Sequence, residues 1–160
     1  MNAATQANKT WSDRFMPQIK GIVAQYLPLI DTASTIDDLE HNTDLIVTKQ
    51  KFRIACRVRR FDYWDRYRGE FTIRCRSQFG LKTEWHKLFD GAGDFMFYGF
   101  ADRSSQYVFD WHLIDLSVLR VAYSAGEIKE CDVRSNRDGS ALAAFRLIDL
   151  PAGGVMAGND

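Results

Sequence analysis

The chain has 160 residues, 46% hydrophobic and 13% aromatic, with 21 basic and 21 acidic side chains and a formal net charge of zero. That length suits one domain able to bury a core without disulfides or metal. The composition excludes a disordered chain, and no apolar run reaches the ~20 residues of a membrane-spanning helix. Cys56, Cys75 and Cys131 are widely spaced, with no CxxC and no histidine pair at ligand spacing. Structural zinc is therefore not expected, and reduced thiols in the cytoplasm are. The opening MNAATQANKTW lacks the basic-then-apolar pattern of a secretory signal.

In chain order, Asp13 to Leu29 reads as the first helix, because Phe15, Ile19, Ile22, Val23, Tyr26 and Leu27 recur at three- and four-residue steps. Thr35 to Asp38 has capping-box spacing and suggests a short helical turn or loop. Asp44 to Thr48 is rich in strand formers, and Lys49 to Lys51 would turn the chain into a second run, Phe52 to Arg60. There Phe52, Ile54, Cys56 and Val58 alternate with Arg53, Ala55, Arg57 and Arg59. After an aromatic loop at 61–69, Phe71, Ile73 and Cys75 alternate with Glu70, Thr72, Arg74 and Arg76. If these runs share one sheet, two of them line up arginines on its polar face.

Thr83 to Phe89 reads as a short helix, Phe95 to Ala101 and Tyr107 to Ile114 as apolar strands, and Leu116 to Ala125 as a helix stopped by Gly126. A turn at Asn136 to Gly139 precedes a last strand, Ala141 to Ile148. Residues 1–10 and 151–160 are expected to be mobile tails on a single domain spanning 1–160. Between Lys49 and Lys87 there are twelve basic and four acidic residues, an excess of eight that the rest of the chain balances. Such segregation creates a local positive potential on a neutral molecule.

Asn42-Thr43-Asp44-Leu45-Ile46-Val47, followed by Arg53-Ile54-Ala55-Cys56-Arg57-Val58-Arg59, resembles the core of PD-(D/E)XK nucleases, as found in some small phage and prophage proteins. The resemblance runs from the first helix to about Ala101. It implies an α+β fold with a central mixed β-sheet flanked by helices, a restriction-endonuclease-like core. It also implies Mg²⁺ on Asp44, with Glu70 or Glu84 as the second acid and possible phosphodiesterase chemistry. Arg57 and Arg59 would clamp phosphate, Arg74 and Arg76 would extend the patch, and Lys87 would contact substrate DNA. Tyr63, Trp64 and Tyr67 would stack on unpaired bases or fold onto the core edge. Where the family has acid-x-lysine, this chain has Ala55-Cys56-Arg57 or Arg57-Val58-Arg59, neither with an acid. The alternative expectation is therefore a catalytically inactive domain that binds and blocks a host protein, an anti-defence or anti-CRISPR type inhibitor.

Overall fold

A computed structural model describes residues 3–27, 30–34, 43–47 and 52–159. The elements are α1 (Ala3–Asp13), α2 (Met16–Val23), β1 (Ile30–Thr32), β2 (Leu45–Val47), β3 (Phe52–Arg59), α3 (Trp64–Tyr67) and β4 (Glu70–Arg76). They continue with α4 (Glu84–Phe89), β5 (Phe95–Ala101), β6 (Val108–Asp115), α5 (Leu116–Ser124), β7 (Asp132–Ser135), β8 (Ala141–Arg146) and β9 (Val155–Gly158). The fold is α+β with a mixed central sheet, as expected. Among the described residues six strands form that sheet in the order β1-β2-β3-β5-β6-β9, and β4-β8-β7 form a second. Among the described residues only the β3–β5 pairing is parallel. No helix among the described residues is long and apolar enough to cross a membrane.

Strand β5 is buried along its whole length, which explains its nearly unbroken apolar sequence. Alternation sends Phe95, Phe97 and Ala101 to one face, where they meet Phe15 and the Ile19 and Val23 stripe of α2. Gln18 ties α2 to the sheet, its amide exchanging 2.7 Å hydrogen bonds with the backbone of Val108. Met96, Tyr98 and Phe100 point the other way, into a core shared with Leu88, Leu119, Phe71 and Phe145. The central sheet thus lies between α2 on one side and α4, α5 and the small sheet on the other.

Helix starts follow their side-chain chemistry. The Asp115 carboxylate accepts the backbone N–H groups of Ser117 (2.7 Å) and Val118 (3.1 Å) at the start of α5. At α4, His86 Nδ1 accepts the Thr83 N–H at 3.2 Å.

Three expectations are corrected. The helix expected over Asp13 to Leu29 is the shorter α2, Met16–Val23, and a separate helix, α1, occupies most of the stretch expected to be a mobile tail. The other expected tail supplies β9, which pairs with β6 from His112 to Ile114. The strand at Glu70–Arg76 does not join the sheet of β2 and β3: it pairs with β8. Alternation identifies which side chains share a face, but it does not choose the neighbouring strand. The expected turns at Thr35 to Asp38 and Lys49 to Lys51 lie outside the described residues.

Candidate nucleic-acid interface

Strand β2 pairs with β3 only from Phe52 to Ile54. Among the described residues no strand pairs with that side of β3 farther on. Residues Cys56 to Arg60 instead border a cleft of about 590 Å³, walled by Asn8, Lys9, Trp11, Ser12 and Asp13 of α1 and by Arg74 and Glu84. Asp44 enters the cleft at the point where β2 begins. Its carboxylate accepts the Cys56 backbone N–H at 2.5 Å, and its own N–H donates to Ile54 O at 2.9 Å. The Cys56 thiol is pushed well up by burial and by the nearby Asp44 charge, so at neutral pH it is protonated and a poor nucleophile.

Five basic side chains line the cleft against three acidic ones: Lys9, Arg57, Arg59, Arg60 and Arg74 against Asp13, Asp44 and Glu84. Arg57 donates to Thr72 O at 3.1 Å and to the Glu84 carboxylate. Arg59 donates to Tyr98 Oη at 3.1 Å and to the Thr72 hydroxyl. Strand β3 therefore uses its two expected phosphate-clamp arginines to hold β4 across the gap between the sheets, each bond contributing about 1 kcal/mol or more. Arg60 and Arg74 are exposed, and the Arg60 guanidinium lies 4.5 Å from the centre of the Trp11 ring.

The other expected site residues are dispersed. Glu70 pairs with Arg134 at 2.6 Å in the small sheet, and Arg76 reaches Ser135 Oγ (2.9 Å) and Gly139 O (3.2 Å). Neither lines the cleft. Lys87 borders a separate void of about 10 Å³ beside Glu84. Asp44, Glu84, Arg57, Arg59 and Arg74 are brought together. Lys9 and Trp11 were not singled out in the sequence, and Asp13 only as the start of a helix, because the stretch before it has no apolar stripe; its helix-forming Ala, Gln and Lys were the available signal.

Glu84, as arranged, does not serve as the second acid for a divalent cation. Magnesium is held by one or two carboxylates together with substrate phosphate. Glu84 instead gives one oxygen to the Arg57 guanidinium and the other to the Arg74 N–H at 3.0 Å. Burial works to raise the Glu84 carboxyl, but Arg57, with the N–H and charge of Arg74, holds it below the usual range. An arginine thus occupies the position on Glu84 that a metal ion would need. Among the described residues there is no group of three or more His, Cys, Asp or Glu side chains able to hold a metal.

The aromatic loop divides its residues. Trp64 packs on Phe61 and Phe109, and its indole N–H donates to Asp110. Tyr67 packs against the core, with the Arg134 and Arg66 guanidinium groups 4.3 and 5.2 Å from its ring centre. Tyr63 is 49% exposed and lines the cleft. No protein-family model matches the chain, and no curated protein matches it.

Proposed function

We propose that this chain is a nuclease-like domain that grips the phosphate backbone of DNA in the cleft between α1, β3 and β4 without cutting it, in the phage or prophage setting of the resemblance and so in a host cytoplasm. The supporting observation is the basic lining of that cleft, with Arg60 and Arg74 exposed to solvent while Arg57 neutralises Glu84. Guanidinium groups suit phosphate because their planar donors can bind two oxygens at once.

Fluorescence anisotropy with a labelled oligonucleotide tests this. Affinity is expected to fall log-linearly with salt, with a slope corresponding to two or three phosphates, and to be indifferent to chelator. Arg60→Ala and Arg74→Ala are each expected to weaken binding about fivefold, close to 1 kcal/mol. Salt-independent binding would reject the reading. Mg²⁺-dependent cleavage that Asp44→Ala abolishes would replace it with a working nuclease.

A second reading, the inactive domain that blocks a host protein, is favoured by a different surface. Phe79 and Leu81 are 73% and 64% exposed in the loop before α4, next to a hollow of about 430 Å³ bordered by Trp85 and Phe89. In that reading Phe79→Ser with Leu81→Ser abolishes capture of the partner while leaving DNA affinity intact.

A further inference from the structure

We infer that the cleft takes unpaired nucleic acid, with one base stacked on Tyr63 and the adjoining phosphates on Arg60 and Arg74. This rests on the phosphate-binding reading above and adds the class of polymer to it.

The inference comes from a column of planar groups that ends at the cleft. Its base is Arg134, fixed by Glu70 at 2.6 Å and Asp132 at 2.9 Å. The Arg134 guanidinium lies 4.3 Å from the centre of the Tyr67 ring. Tyr67 stacks on Tyr63, with centroids 6.2 Å apart and ring planes 26° from parallel. Each layer holds the next, as offset aromatic pairs and cation–π contacts do. Tyr63 is the outermost layer, half exposed and lining the cleft that Arg59 and Arg60 also line. The next flat group on such a column is a nucleobase, which every nucleotide of a single strand can present.

Size points the same way. About 590 Å³ falls within the ~300–1,000 Å³ range of sites that enclose one small ligand, so the cleft accepts a short piece of extended strand. In a duplex the base faces are covered by their neighbours. Reaching Tyr63 would then require flipping a base out at the cost of its stacking.

The test compares a labelled single strand with a hairpin duplex of equal length at one salt concentration, using wild type, Tyr63→Ala, Tyr63→Phe and the doubly substituted Arg60→Ala/Arg74→Ala chain. A 2-aminopurine base in the single strand reports stacking directly. Wild type is expected to prefer the single strand and to quench the probe. Tyr63→Phe keeps both properties. Tyr63→Ala loses the quenching and between about 5- and 150-fold of the affinity, the range for one base–aromatic stack. Because Tyr63 is exposed, a circular dichroism spectrum matching wild type is expected for both substitutions. Equal affinity for duplex, or Tyr63→Ala binding and quenching as wild type does while the arginine variant is weakened, would overturn the stack and leave the phosphate reading standing. Absence of salt-dependent binding in wild type would overturn both.

Discussion

Arg57 and Glu84 meet with only 16% and 19% of their side-chain surfaces exposed, and this one contact engages two of the side chains that line the cleft. It removes a carboxylate from the pool of metal ligands and a guanidinium from the pool of phosphate contacts. Glu84→Gln is expected to destabilise the fold by about 2 kcal/mol at pH 7, since it leaves a largely buried arginine without its counter-charge. The sign with pH follows from the lowered Glu84 carboxyl. Its contribution is full above the ordinary glutamate value near 4.3 and is lost as pH falls through the lower folded value. Denaturant melts of the two chains should therefore differ at pH 7 and converge as pH drops below about 4; a constant difference across that window would refute the assignment. None of this pairing was legible in the sequence. Arg57 and Glu84 are 27 positions apart, and residue type alone does not say whether an arginine will meet solvent, phosphate or a carboxylate.

The elements themselves were legible where a repeat of two or of three to four residues was sustained. Strands β3, β4 and β5 fall where alternation and apolar runs place them, and α4 and α5 begin at Thr83 and Asp115 for ordinary capping reasons. Strand β9 was hidden because Ala157 and Gly158 carry little side chain to show a pattern. Their smallness matters, because a Cβ on Gly158 would stand 2.9 Å from the His112 ring. Gly99 is a sharper case, in the middle of the buried β5. A Cβ there would lie 2.7 Å from Val108 Cγ1, 3.0 Å from Asp110 O and 3.2 Å from Trp111 Cβ. Gly99→Ala is expected to cost about 1–3 kcal/mol, as overpacking of a core does. Chemical denaturation measures it, and an unchanged midpoint would show that β5 and β6 can separate freely.

At the scale of the molecule, the layers around β5 were implied by its two apolar faces, but the division into two sheets was not. Two arginine-bearing runs expected to share a face instead confront each other across the space between sheets, which is why five of the eight expected site residues converge while Glu70, Arg76 and Lys87 do not. Local pattern records which side chains avoid water and leaves open which partner shields them.

The unequal lengths of β2 and β3 have a further consequence. A strand that outruns its neighbour exposes main-chain donors and acceptors, a template on which another copy of the chain can add a strand. Here α1 stands opposite that stretch, anchored by Trp11, whose ring meets Phe15 edge-on at 5.1 Å and carries Arg60 at 4.5 Å. Trp11→Ala combined with Arg60→Ala should loosen the helix and give concentration-dependent self-association in light scattering, whereas a chain that stays monomeric throughout would show that the helix plays no such part. Self-association of that variant would make the wall of the groove a chaperone carried within the chain, keeping an adhesive border from finding its own kind.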